Sequence, residues 1–169
     1  MTSYTASEVI QFAISIEETG KDFYQTLGEQ FSRHPGVASL FLDLARQEGD
    51  HKIFFQQMGE RAKNWETDSP LTEEYFLYLR GFADHTIFDA KKSGPDLAHI
   101  TDPAKAIEFS MGRELNAVNY YRELKQMVPE QEASFLDEII AEEQSHFNQL
   151  QERLKQLNTS DQDNGEEFQ

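Results

Sequence analysis

Apolar residues recur at three- and four-residue intervals along almost the whole chain. That spacing lays one oily stripe along a helix. Val9, Ala13, Ile16, Gly20, Phe23 and Leu27 set the first stripe and predict a helix from about Ala6 to Gln30. Thr5-Ala6-Ser7-Glu8 opens it as a capping box. His34-Pro35-Gly36 reads as a turn, and a second helix follows to about Trp65, with Leu40, Leu44, Phe55 and Met58 on one side. Asp68-Ser69-Pro70 breaks it. A third helical stretch, about Leu71 to Lys92, is rich in aromatics (Tyr75, Phe76, Tyr78, Phe82, Phe88) and stops at Lys91-Lys92-Ser93-Gly94-Pro95. Asp102-Pro103 gives a fourth helix its cap and its first-turn proline, and that helix runs to about Met127. Pro129 marks a short connection before a last helix, about Gln131 to Leu157. The polar remainder, 158–169, is expected to be a disordered tail.

The pattern repeats. FAISIEETGKDFYQTL from Phe12 aligns with FSMGRELNAVNYYREL from Phe109, so that Phe12, Glu17, Tyr24 and Leu27 match Phe109, Glu114, Tyr121 and Leu124. Glu48-Gly49-Asp50-His51 then matches Glu143-Gln144-Ser145-His146. The chain therefore reads as two antiparallel helical hairpins in one domain, 1–157. They are joined by a connection, about 66–102, that carries a helix of its own. An all-α four-helix bundle with one long crossover follows, in which the second and fourth helices run parallel.

Turning about 100° per residue places the polar side chains. In the last helix, Leu136, Ile139, Glu143, His146 and Leu150 share a quarter turn, with Glu142 on the flank. Leu44, Glu48, His51 and Phe55 cluster alike in the second helix. Glu17 lies inside the first stripe beside Ile10 and Tyr24, while Glu18 points the other way; Glu114 repeats Glu17 beside Ile107 and Tyr121. Four helices thus aim one Glu each at a common interior, and two add a His one turn on. Carboxylates so placed repel each other and resist burial. Two divalent cations cancel their four negative charges. Oxygen ligands with one imidazole per ion and no thiolate favour Fe or Mn over structural zinc. Which glutamates bridge stays open at this point.

Composition narrows the choice. The formal net charge of −16 opposes nucleic acid and anionic membranes as partners. With no cysteine, disulfides, thiol catalysis and iron–sulfur centres are excluded. No signal peptide or membrane span is evident, so a soluble cytoplasmic protein is expected. His85 has no acid at matching spacing on a repeated helix and reads as a surface or locally bonded residue, while His34, beside Pro35, and His99, near a loop, read as structural. The aromatics of the crossover are expected to cover the bundle or to pack a dimer. No phosphate loop and no nucleophilic triad is present.

Glu17, Glu48-x-x-His51, Glu114 and Glu143-x-x-His146, with Tyr24 and Tyr121 after their glutamates, resemble the rubrerythrin-like branch of the ferritin-like di-iron carboxylate proteins. The resemblance runs from about Ala6 to Leu157. It implies a ferritin-like bundle holding two Fe ions, with Mn or a mixed pair as the alternative. The six Glu and His residues would be the metal ligands, and Tyr24 and Tyr121 would bond those ligands or supply an electron. The implied activity is that of an oxidoreductase reacting with hydrogen peroxide or O2. The alternatives are a ferroxidase or iron-handling protein, and a structural bundle without redox chemistry. Two departures stand out. Without cysteine there is no rubredoxin-type iron held by four thiolates, so an external electron-donor protein is needed. Met111 and Ala117 stand where the family has a further carboxylate near the one matched by Glu114. A homodimer is the expected assembly.

Overall fold

The computed structural model describes residues 6–65, 72–84, 97 and 99–166. Among these there are five α-helices and no strand: α1 (Ala6–Gln30), α2 (Pro35–Ala62), α3 (Glu73–Phe82), α4 (Pro103–Lys125) and α5 (Glu130–Glu166). The all-α bundle with a helical crossover is as expected. Thr5 of the proposed capping box, His85 and Phe88 lie outside the described residues.

Local chemistry sets the helix ends. Asp102 accepts a hydrogen bond from the Ala104 amide at 2.9 Å, with Pro103 at the first helical position. Thr72 caps α3 by accepting from the Tyr75 amide. The turn expected at His34-Pro35-Gly36 sits earlier, over Phe31–His34, and Pro35 and Gly36 already belong to α2. Proline at a first helical position loses nothing, because its missing N–H has no partner there anyway. At the other end of the chain, α5 continues past Leu157 to Glu166. Apolar positions run out near Leu157, but no proline or glycine stands before Gly165 to halt the helix.

α1 packs chiefly on α2 and α4 chiefly on α5, with lesser contacts of α2 on α5 and α1 on α4. Cross-helix bonds give the directions. Tyr24 donates to Glu114 and Tyr121 donates to Glu17, so α1 and α4 are antiparallel. Arg61 grips Glu132 through two bonds of 2.7 and 2.8 Å, while His51 meets Glu142 and His146 meets Gln47, so α2 and α5 are antiparallel too. Every neighbour in the ring α1–α2–α5–α4 therefore runs opposite to the next, and the diagonal pair α2 and α4 is parallel. A parallel diagonal obliges the connection to travel the bundle's length, about 40 Å for a helix of this size. α3 lies on that path. Phe76 and Leu79 bury against the bundle, Phe12 meets Phe76 with ring centres 5.3 Å apart, and Phe82 stacks on Tyr120 at 6.0 Å. Among the described crossover aromatics, Phe76 and Phe82 thus cover the bundle. Where the connection returns, Gln30 Nε2 donates to the Ile100 carbonyl at 2.6 Å.

The core contains Ile10, Leu27, Phe41, Leu44, Phe55, Met58, Ile107, Leu124 and Leu150, each with no exposed surface. Burying each such side chain contributes about 1.5–3 kcal/mol. Close helix approach appears at Gly28, where an added Cβ would lie 2.7 Å from Leu42 Cγ and Cδ2. At Gly112 in α4 a Cβ would meet nothing within 4 Å. Gly112→Ala should therefore stabilise the bundle by about 1 kcal/mol through helix propensity. Gly28→Ala gains the same propensity, but the exposed Leu42 side chain must swing aside to admit it, so thermal unfolding should show a smaller rise in Tm than for Gly112→Ala. Equal upward shifts in both variants would refute the close packing at Gly28.

Candidate metal centre

Six side chains meet where the four long helices face one another: Glu17 from α1, Glu48 and His51 from α2, Glu114 from α4, Glu143 and His146 from α5. Each is at most 2% exposed. Helical spacing explains the pairs, since residues three apart stack on one face, so Glu48 with His51 and Glu143 with His146 each enter together. Donor atoms of Glu17, Glu48, His51 and Glu143 all lie within 4.8 Å of one another, and so do those of Glu48, Glu114, Glu143 and His146. The two groups share Glu48 and Glu143.

The imidazoles lie side by side, ring centres 5.5 Å apart and 21° from parallel. Both turn Nδ1 toward the carboxylates. His51 Nδ1 is 2.9 Å from Glu143 Oε1 and 3.5 Å from Glu17 Oε2. His146 Nδ1 is 3.2 Å from Glu143 Oε2, 3.3 Å from Glu48 Oε1 and 3.5 Å from Glu114 Oε2. Most of these approaches are not hydrogen bonds: Glu17 Oε2, Glu48 Oε1, Glu114 Oε2, Glu143 Oε1 and His51 Nδ1 are buried without one. Orphaned buried acceptors cost about 1–3 kcal/mol each, more when charged. Lone pairs converging across a buried gap call for a cation, or failing that for protons. The donor set therefore suits a pair of metal ions.

The remaining carboxylate oxygens are bonded. Tyr121 donates to Glu17 Oε1 and Tyr24 to Glu114 Oε1, each tyrosine reaching across to the opposite helix. Burial, then the neighbouring carboxylates Glu114 and Glu17 respectively, raises both phenols well above their ordinary range, so they stay hydroxyl donors.

Electrostatics show how the cluster copes without cations. Burial, reinforced by Glu48, pushes Glu17 well above the ordinary carboxylate range. Burial and then the Glu143 charge raise Glu48 to about 7. Glu114 rises to about 8, where burial and Glu143 outweigh its closeness to the His146 imidazole. For His51 burial acts downward, but Glu17 and Glu143 overcome it and lift the group to about 12. His146 is lifted likewise, because Glu114, Glu143 and Glu48 outweigh its burial. Glu143 alone is lowered: burial opposes its charge, but its closeness to the His146 and His51 imidazoles prevails. The cation-free cluster fills itself with protons.

All six expected residues and both tyrosines are thus brought together. Glu18 points outward to Lys52, 2.7 Å away. His34 flanks α2 with its ring against Phe31, and His99 is exposed. Glu142, on the flank of the stripe, is 56% exposed, yet its Oε2 sits 2.8 Å from His51 Nε2. Gln47 joins the site without any expectation from its sequence position, and its Oε1 is 3.3 Å from His146 Nε2. One signal marks both, since each precedes the inward Glu in the repeat.

Comparisons with known proteins agree with this architecture. The family model described as Rubrerythrin matches residues 8–82, which span α1, α2 and α3. Among solved structures, the chain is similar to a putative ferritin-like diiron-carboxylate protein from Thermotoga maritima. The identity is 24% and the TM-score 0.69, over 92% of this chain and 97% of that one. No curated protein matches. The resemblance to rubrerythrin-like and ferritin-like proteins is borne out. No helix among the described residues is long and apolar enough to cross a membrane.

The raised groups fix a pH dependence. Glu48 and Glu114 have native values above their ordinary 4.5. Their contribution to stability is fully present below about pH 4.5 and is lost as pH rises through about 7 to 8. His51, raised above its ordinary 6.5, acts in the same direction from neutrality upward. Metal-free protein should therefore show a falling Tm as pH climbs from about 5 to 8. A Tm that is flat or rising across that window would show that the cluster does not hold these protons.

Proposed function

We propose that this chain, ferritin-like in fold and matched over its first hairpin by the rubrerythrin family, is a non-haem di-iron oxidoreductase. It reacts with hydrogen peroxide or O2 and draws electrons from an external donor protein. The observation that carries the reading is the pair of overlapping donor groups with two carboxylates in common. Glu17 and His51 would hold one ion and Glu114 and His146 the other, while Glu48 and Glu143 would bridge both. Four carboxylates against two divalent cations leave the buried cluster neutral, which removes the cost of burial.

Oxygen-rich ligation without thiolate admits iron or manganese. Iron is preferred because the similar Thermotoga maritima protein is described as diiron-carboxylate. When bound, such a pair supplies two adjacent one-electron centres for reducing an O–O bond. The chain's own residues prepare the place. Tyr24 and Tyr121 fix the outer oxygens of Glu114 and Glu17, leaving the inner ones free. Glu142 and Gln47 accept from Nε2 of the two imidazoles, so each Nδ1 can turn a lone pair inward. The fully buried Phe41, Phe55 and Leu44 belong to the apolar core around it and keep bulk water away. With no cysteine, the chain offers no thiolate-held iron of its own, so electrons come from outside.

Anaerobic Fe2+ loading followed by elemental analysis should give about two irons per chain. Glu48→Ala or Glu143→Ala should lose both, because each serves both ions. Glu17→Ala or Glu114→Ala should lose mainly one, and Glu18→Ala neither. Ferrous protein supplied with a renewable reductant should consume peroxide or O2 over many turnovers. A single stoichiometric oxidation would indicate iron handling instead. Wild-type protein that retains no iron would end the proposal.

A further inference from the structure

The cluster is close to two-fold symmetric. Glu17 and Glu114 answer each other, Tyr121 and Tyr24 bond them alike, and Glu48 and Glu143 belong to both halves. The symmetry fails at the outer edge of the two imidazoles. Each imidazole sends Nε2 to the residue that precedes the inward Glu on the facing helix. For His51 that residue is Glu142, a carboxylate at 2.8 Å. For His146 it is Gln47, a neutral amide oxygen at 3.3 Å.

The difference has a chemical consequence. A carboxylate can only accept, so when an ion takes the place of the proton on Nδ1, His51 keeps its proton on Nε2. A charged acceptor pulls that proton harder than an amide does, and the bond is shorter. Electron density is pushed through the ring to Nδ1, which becomes the better donor to a cation. Glu142 also adds a negative charge beside this half alone. Its partial exposure screens the charge but leaves the hydrogen bond in place.

We propose that the two ion positions are unequal, with the His51 side filling first and more tightly because Glu142 polarises its imidazole. Glu142 is a positioning residue for that half, and Gln47 leaves the His146 half the weaker one. The inference rests on the di-metal reading above, and the experiment separates the two.

Co2+ is titrated anaerobically into full-length protein, with calorimetry giving the two binding steps and d–d absorption reporting coordination. Wild type should bind two ions in resolved steps. Glu142→Gln, which keeps shape and acceptor but removes charge, should weaken the first step by about ten-fold or more and barely move the second. Gln47→Glu should tighten the second step and leave the first. The pattern is diagnostic, because ions bound at equal positions can also resolve into two steps by mutual repulsion. In that case weakening one position shifts the second step, since the first ion simply takes the other place. A second-step response to Glu142→Gln, or no response, overturns the inequality while the di-metal reading survives. Wild-type protein that binds no Co2+ overturns both.

Discussion

Charge buried at the centre of a hydrocarbon-packed bundle is the constraint on which the rest of this structure depends. Four carboxylates and two imidazoles sit among side chains with no exposed surface, and several of their inward atoms have no hydrogen bond. Such a cluster persists only if its charge is cancelled in place. Protons can do so in part, which is why Glu48 and Glu114 are shifted up to about 7 and 8. Two divalent cations would do so fully. The tyrosines show that the arrangement is built rather than incidental. Each satisfies the outer oxygen of one glutamate from the opposite helix and leaves its inner oxygen to the cluster.

The fold supplies the geometry by repetition. Each hairpin contributes an inward Glu on its first helix and a Glu-x-x-His turn on its second. Placing two such hairpins antiparallel around a common axis brings like residues into register. That arrangement forces α2 and α4 to run parallel, hence the long crossover. α3 makes use of the length: its Phe76 and Leu79 seal the bundle, and Tyr75 donates to Glu123 on α4 at 2.7 Å. Leu77 and Tyr78 of the same helix stay exposed, on the side away from that seal.

Most of this was legible in the sequence, for one reason. Helical periodicity converts spacing into direction, so a Glu at the centre of an apolar stripe must point inward whatever the details of packing. Glu17, Glu48, Glu114 and Glu143 were readable on that ground, and the repeat doubled the signal. What escaped depended on three-dimensional neighbours. Glu142 lies on the flank of its helix, and its one local mark, its place just before the inward Glu, does not say what it meets. Only the placement of His51 on the facing helix makes its carboxylate matter. The extent of α5 escaped differently, because fading apolar periodicity is weak evidence of an end where no proline or glycine stands before Gly165. The turn before α2 was misplaced because Pro-Gly reads as a break, whereas proline also starts helices.

Neither hairpin alone can complete an ion position. One donor group takes Glu17, Glu48 and His51 from the first hairpin but needs Glu143 from the second; the other takes Glu114, Glu143 and His146 from the second but needs Glu48 from the first. The family match spans residues 8–82 and so covers only the first hairpin and α3. The second supplies its share through its own copy of the motif, and the geometry joins the two. The cluster is therefore also the seam between the halves of the molecule. The backbones of the two hairpins approach each other less closely than those within each hairpin. Cations shared by Glu48 and Glu143 would tie the halves together across that wider spacing, and occupancy of the site and docking of the hairpins would become one equilibrium.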